Sequence, residues 1–350
     1  MACDLRADNR YTLRAITMNT SHHTAPRPNG RLTVGLISNP HSGRNRKQPD
    51  AIGRIVADYP NVHHRPTQDA GELPGVLAGF ASQPIDVLAV NGGDGTIARI
   101  LTELLLQKPF PTLPRLVLLP GGTTNMNAGD VGLRGNLVKA VRRLCEWSTG
   151  RHTAFETLQR PVLQVTGGDG QAAVCGMFFG AGAIIQGIEY CRANVHTKGV
   201  SNEIGPGLAM LRTVWGIARR DRRFLQSVTM SVQRNDEPAD PTRDVLILLV
   251  SSLDRLFLGI RPYWGRETAP LHTTLVLDHA GRFLRNLPSL LRGRPNRHTT
   301  EANGYYSHNA DRIRLTMDGI WTLDGELYQA MASDGPVTIT SGGDVTFVRL

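Results

Sequence analysis

At 350 residues the chain is long enough for about two domains, each able to bury its own core, which excludes a small disulfide scaffold. An apolar share of 40% suits a globular protein, and the longest uncharged apolar run, the glycine-rich Ala172–Ile185, falls short of the roughly 18 residues a membrane-spanning helix needs. Thirty-nine basic against 30 acidic residues leave a net charge of +9, an attraction to polyanions that alone does not choose between nucleic acid, nucleotide phosphates and an acidic membrane surface.

In chain order, residues 1–29 mix charged and polar types with Pro26 and Pro28 and contain no apolar signal core, so they read as a loose tail rather than an export signal. From Arg31 to about Gly150, short β-branched or leucine-rich runs alternate with helical periodicity. Strands are expected at Leu32–Ser38, Val62–Arg65, Asp86–Val90 and Leu116–Leu119, and helices near Ala51–Tyr59, Glu72–Phe80, Ile97–Leu106 and Leu137–Trp147. A βαβαβαβα order implies a doubly wound parallel sheet with helices on both faces. Beyond Gly150 strands dominate: Pro161–Thr166, Gln171–Phe178, Ser227–Gln233, Val245–Ser251, Leu271–Leu277, Asp311–Met317 and Gly335–Thr340. A second, mainly antiparallel β-sandwich domain is therefore expected. It is interrupted by helices near Gly207–Arg222 and Arg282–Leu291, which run into the basic clusters Arg219–Arg223 and Arg292–Arg297. Cys3, Cys145, Cys175 and Cys191 show no CxxC pair and no metal-type spacing, so reduced thiols are expected, with Cys145 and Cys175 as small buried apolar residues.

Ligands of open α/β sheets sit at the carboxyl ends of the strands. Three of those ends carry glycine-rich loops: Asn39-Pro40-His41-Ser42-Gly43-Arg44, Asn91-Gly92-Gly93-Asp94-Gly95-Thr96 and Pro120-Gly121-Gly122-Thr123-Thr124-Asn125. Glycines let backbone N–H groups approach a phosphate, a following helix adds its positive end, and hydroxyls add donors. Neither GxxxxGK[ST] nor GxGxxG follows any of these strands, which argues against a P-loop and against the ordinary dinucleotide fingerprint. Asp94 amid phosphate-binding amides would be repelled by the ligand unless a cation lay between them, so it is expected to orient Mg²⁺ or its waters. Capping the helix that follows is an alternative role, compatible with the first.

The strings NPHSG (Asn39–Gly43), NGGDGT (Asn91–Thr96), LPGGTTN (Leu119–Asn125) and LDGE (Leu323–Glu326), in that order, resemble the diacylglycerol kinase catalytic-domain family, whose relatives include bacterial lipid kinases, sphingosine kinases and ceramide kinases. The resemblance covers about Thr33 to the C-terminus. It implies an NAD kinase/diacylglycerol kinase-like fold and ATP-dependent phosphoryl transfer to a lipid hydroxyl, most simply that of a diacylglycerol-like acceptor, with ATP and Mg²⁺ as cofactors. By that resemblance Gly92, Gly93, Asp94, Gly95 and Thr96 wrap the ATP phosphates. Asn39, Ser42, Gly43, Arg44, Thr67, Gly122, Thr123 and Asn125 match nucleotide-side positions, and Glu326 matches the general base. Asp94 and Asp324 are counted with Glu326 as catalytic. Read alone, Asp324-Gly325 between Trp321 and Leu327-Tyr328 is simply a good hairpin turn.

The implied partition is a tail over 1–29, an ATP-binding domain over 30–152 to which a final strand at about 344–350 returns, and a lipid-substrate domain over 153–343. Two features depart from the family pattern. Met126 and Asn127 follow Asn125 where many members have an Asp, and Ala269–Thr274 carries no carboxylate where similar bacterial enzymes hold a structural magnesium, so a second metal is not expected. On the acceptor side, Met177–Gly182 and Leu208–Trp215 are candidate groove walls, equally well explained as core.

The expected partner is a lipid substrate at an anionic membrane surface, met peripherally from the cytoplasm at the inner membrane face. No nucleic-acid partner is expected, and a homodimer is left open. The alternatives are an NAD kinase, for which Asn202-Glu203 is the one supporting pair, and a non-catalytic nucleotide- or lipid-binding regulator.

Overall fold

A computed structural model describes residues 30–47, 50–151, 154–168, 170–189 and 227–350. The first half is the expected alternation. Strands β1 (Val34–Ser38), β2 (Val62–Pro66), β3 (Val87–Gly92) and β4 (Arg115–Pro120) alternate with helices α1 (Ala51–Val56), α2 (Leu73–Ala81), α3 (Asp94–Thr102), α4 (Met126–Val131) and α5 (Leu137–Ser148). All neighbours are parallel in the order β2-β1-β3-β4, so the switch of direction falls between β1 and β3, where loops open a crevice.

The β runs are apolar throughout because both faces are covered. Val34, Leu36, Val87, Ala89, Val117 and Leu119 pack under α1 and α5, while Ile37, Leu88, Val90, Leu116 and Leu118 pack under α2 and α3. The helical stretch expected over Ile97–Leu106 starts three residues earlier, at Asp94, and loosens into a π turn over Glu103–Gln107 that ends on Lys108 in the left-handed region (φ 50°).

The second half is antiparallel: β5 (Glu156–Thr166), β6 (Val174–Gly176), β7 (Phe178–Gly182), β8 (Val228–Arg234), β9 (Arg243–Ser251), β10 (Leu271–Leu277), β11 (Tyr305–Ala310), β12 (Arg312–Met317), β13 (Gly319–Leu323), β14 (Glu326–Ala330) and β15 (Val337–Arg349). Inward residues of these strands, among them Phe179, Met230, Val250, Leu271, Leu315, Trp321 and Ile339, close one core. A helical run over 183–189 follows β7, and α6 (Phe283–Leu291) lies against Ile247, Val276 and Tyr305. The expected helix over Gly207–Arg222, with Arg219–Arg223 and the candidate wall Leu208–Trp215, lies outside the described residues, as do Cys3, Cys191 and Asn202-Glu203.

Two expected strands are drawn differently. Gln171–Phe178 is broken at Met177, where the chain leaves its pairing with β5 and takes up β9 and β13 instead, so that β7 runs through the Phe-Gly segment read as a groove wall. Gly335–Thr340 is the beginning of a 13-residue strand that continues through a bulge at Ser341/Gly343. That strand pairs with β12, runs antiparallel along the whole of β5, and reaches β4 in parallel at Phe347↔Leu116. β5 and β15 together thus join the parallel and antiparallel regions into one continuous sheet.

Cys145 and Cys175 are buried free thiols, each pushed up to about 12 by burial. Just before the segment Ala269–Thr274, Glu267 accepts from the His308 ring (2.8 Å) and the Asn309 N–H (2.9 Å), so protein donors hold it against β11. Among the described residues no helix is long and apolar enough to cross a membrane.

Phe347 is fully buried where β15 meets both β4 and β5. Phe347→Ala is expected to cost about 3–5 kcal/mol in a denaturant melt, far more than the loss of a terminal-strand side chain with no structural partner would cost.

Candidate active site

The three glycine-rich loops converge because their own polar side chains bind one another. Asn39 accepts from the His41 N–H (2.9 Å) and donates to Thr96 Oγ1 (2.9 Å), tying the first loop to the second. Ser42 Oγ accepts from the Gly93 N–H (3.1 Å), and the Arg44 N–H reaches the Gly121 carbonyl (3.0 Å), so the first loop also holds the third. Beneath them Asn91 donates to Ser38 Oγ (3.1 Å), and Thr67, at the end of β2, donates its N–H to the Ser38 carbonyl (2.9 Å).

Backbone meets backbone here. A Cβ on Gly122 would lie 2.5 Å from the Gly93 Cα, and one on Gly43 would lie 2.3 Å from Thr123 Oγ1. Only glycine permits that approach.

Asn125 departs from its expected role. It is buried in the left-handed region (φ 52°), and its amide accepts from the Gly122 N–H (2.7 Å) and donates to the Gly122 carbonyl (2.8 Å). Its polar atoms therefore close the third loop on itself, while the hydroxyl-bearing Thr123 and Thr124 are exposed. Thr67 is likewise buried under β1, and the Arg44 guanidinium reaches the Gly135 carbonyl (2.6 Å).

Asp94 does not cap its own helix. Gly93 occupies that position, and the Asp94 carboxylate instead accepts from the first two amides of α4, Met126 N–H (3.1 Å) and Asn127 N–H (2.9 Å). It thereby spans the second and third loops. Burial raises its pKa, and the Asn127 and Met126 amides oppose the rise.

The β13–β14 hairpin brings in the antiparallel half. Asp324 (φ 48°) and Gly325 (φ 92°) form its two-residue turn, with φ positive at both positions as a type I′ turn requires, and Leu323 pairs with Glu326. Trp321, stacked between Phe179 (5.3 Å) and Tyr328 (4.3 Å), fixes the hairpin on β7. Two carboxylates are delivered by this turn. Glu326 Oε1 would lie 2.8 Å from a Cβ on Gly95, at the first turn of α3. Asp324 is 4% exposed and accepts from the Met177 N–H (2.8 Å). Burial pushes Asp324 up to about 8, and the Asp94 charge adds to the rise against the Met177 amide, the Asn127 side chain and the Phe178 amide. Its Oδ1 and both polar atoms of the Asn127 side chain lack a partner at hydrogen-bond geometry.

The structure thus brings together Asn39, Ser42, Gly43, Gly92–Thr96, Gly122, Thr123, Asp94, Glu326 and Asp324, and sets Thr67 and Asn125 beneath them as braces. Asn127 joins this group without having been marked by the sequence except as the place of a missing acid. Its signal is its burial: an Asn that is fully inaccessible between two carboxylates. Tyr328 is a second addition, raised by burial and by Glu326 and Asp324, with Arg99 opposing.

The donor set suits Mg²⁺, which characteristically takes one or two carboxylates and completes its shell with phosphate and water. Asp94 offers hard oxygens beside an orphaned Asp324 oxygen, and no cluster of three metal-type side chains exists among the described residues to form an all-protein cage.

The strand-end loops of the parallel sheet and the carboxylate hairpin of the antiparallel half converge in one two-part site. Residues 33–157 match the model of the diacylglycerol kinase catalytic domain, the family that the loop strings resemble. Among the relatives, "Probable lipid kinase YegS-like" of Citrobacter koseri is 30% identical over 107 residues, 31% of this chain and 36% of that protein. "Probable lipid kinase YegS" of Salmonella newport is 31% identical over the same shares. The alignment therefore spans about a third of the length of these relatives. A crystal structure of a diacylglycerol kinase from Bacillus anthracis str. Sterne has the same fold, with a TM-score of 0.55 over 91% of this chain and 96% of that one at 18% identity.

Because folding raises the Asp324 pKa, the stability linked to its proton is complete below the unfolded carboxylate value and is lost as pH rises through about 8. Asp324→Asn is expected to flatten that loss, leaving the variant about 1–3 kcal/mol more stable than the parent at pH 9 and close to it at pH 5 in urea melts.

Proposed function

We propose that this protein is an ATP-dependent lipid kinase that transfers the γ-phosphoryl group to the hydroxyl of a diacylglycerol-like lipid. The observation that carries the reading is the meeting of Glu326 with Gly95: a carboxylate from the antiparallel half stands at the amide end of α3, where a transferring phosphoryl group and an acceptor hydroxyl would have to meet.

In this reading the loop Gly92–Thr96 and the start of α3 receive the phosphates, with the Thr123 hydroxyl opposite them. Ser42, which takes up the Gly93 N–H, and Asn39, which binds the Thr96 hydroxyl, hold that loop in place. Mg²⁺ would be held by Asp94 and would neutralise phosphate charge. Glu326 accepts the proton of the acceptor hydroxyl as attack proceeds, and Asp324, protonated at neutral pH, lets a second carboxyl sit beside Asp94 without a second full charge. Because phosphoryl transfer has a loose transition state, positioning and charge neutralisation contribute more than proton removal.

The test is transfer of label from γ-labelled ATP with Mg²⁺ into a panel of lipids in mixed micelles, with NAD as a parallel acceptor. Label is expected in one lipid class and to fall about 10²-fold or more in Glu326→Gln, whose melting is unchanged. Label in NAD alone, or none in any acceptor despite ATP binding, would overturn the reading. Gly122→Ala, which drives a Cβ into Gly93, is expected to weaken ATP binding by about tenfold or more in titration calorimetry.

A further inference from the structure

Between Asp278 and Glu301 the sequence contains five arginines, Arg282, Arg285, Arg292, Arg294 and Arg297, and no acidic residue. α6 lies within this stretch. Its inner side is anchored: Asn286 and Leu290 are buried, Asn296 Nδ2 donates to Asn286 Oδ1 (3.2 Å) and Ser289 Oγ (2.9 Å), and the Leu291 carbonyl accepts from the Arg261 N–H (2.9 Å). The outer side is Leu284, Arg285, Pro288 and Arg292, at helical spacing i, i+1, i+4 and i+8, all exposed, with Leu284 at 47%.

Two of the arginines converge on one imidazole. Arg282, itself in the left-handed region (φ 59°), and Arg297 both donate to the same atom, His298 Nε2, at 3.0 and 3.2 Å. An imidazole accepting from two guanidiniums is neutral at that nitrogen and offsets neither charge. Desolvation and the charges of Arg282, Arg297 and Arg285 lower its pKa. None of the five arginines forms an ion pair with a carboxylate among the described residues.

We propose that the outer face of α6, with Arg282 and Arg297 beside it, is the surface by which this protein rests on an anionic lipid bilayer. Charge selects that occupant. Residues 190–226 hold seven basic residues against Glu203 and Asp221, and a second copy of the chain carries +9, so both bring net positive charge, which opposes their docking on this face. Leu284 and Pro288 project among the arginines, the arrangement of an interfacial helix whose apolar residues enter the headgroup layer while guanidiniums meet lipid phosphates. A single-stranded nucleic-acid surface would call for aromatic stacking residues, and this face has none, while a duplex is an outcome the test separates.

The face is also connected to the acceptor side. Phe283 of α6 packs with Leu246 and with Ala183, which follows β7, and the far end of β7 is Phe178, whose carbonyl accepts from the Asp324 N–H (2.8 Å). One strand, roughly 16 Å, separates the two. The proposal rests on the lipid-kinase reading for its biological sense, but its test reads binding without turnover, so either can fail alone.

Full-length protein is sedimented with phosphatidylcholine vesicles, with and without phosphatidylglycerol, beside Arg285→Glu/Arg292→Glu and Leu284→Ser. The parent is expected to partition onto the anionic vesicles only, the double variant to lose about tenfold or more of that partition, Leu284→Ser to lose part of it with the salt dependence kept, and all three to melt alike. Transfer to lipid dispersed in neutral detergent is expected to be unchanged in the charge variant. Equal partition of parent and double variant, equal binding to neutral vesicles, or displacement by duplex DNA at equal phosphate would overturn the proposal.

Discussion

The organisation of this molecule depends on one close approach of two backbones. Gly93 and Gly122 come so near that a Cβ on Gly122 cannot be accommodated, and around that contact Ser42 and Asn39 use their polar atoms on the neighbouring loop and Asn125 on its own, rather than on solvent. Loops of this composition would otherwise sample many conformations, at an entropic cost to any ligand that had to order them. Here the parallel sheet orders them in advance. β1 and β3 are adjacent in register, Ser38↔Asn91, so the two loops leave the sheet side by side, and Asn91↔Leu119 brings the third alongside.

Charge is the second organising element. Three carboxylates are brought to one place, and each is handled differently. Asp94 is received by the first amides of α4, where aligned peptide dipoles favour an anion. Asp324 is buried beside it and stays protonated near neutrality. Glu326, on the next strand, lies against Gly95 in the first turn of α3. The type I′ turn, with φ positive at Asp324 and Gly325, delivers both carboxyls to the parallel half.

Much of the parallel half was legible because both cores beneath it impose a simple pattern. Val34, Leu36, Ile37, Val87–Val90 and Leu116–Leu119 are uniformly apolar, and the loops after them carry the glycines that close approach demands. The order of loop motifs resembles the family whose model matches residues 33–157. Less was legible where tertiary contact overrode local signal. Met126–Val131 contains Asn, Gly and Asp, poor helix formers, and α4 exists because Asp94 satisfies its first amides from another loop. Tyr305–Ala310, with Ser, His and Asn in succession, becomes β11 because β10 offers it a full ladder over Leu271–Val276. The break at Met177 follows from Asp324, whose carboxylate takes the Met177 N–H that a continuous strand would have used.

The sequence by itself determined the parallel architecture, the three phosphate-type loops and the acidic hairpin, because each is written in local residue type: β-branched runs, glycines at strand ends, and Asp-Gly between apolar pairs. Only the tertiary structure decided which polar groups face a ligand and which brace the frame. Asn125 stands in the same motif as Thr123, and Thr67 matches the same nucleotide side, yet their atoms are consumed within the protein, while Asn127, outside any motif, lies between two carboxylates. Hydrogen-bond partners come from segments far apart in the chain, and a linear pattern records the donor and the acceptor without recording that they meet.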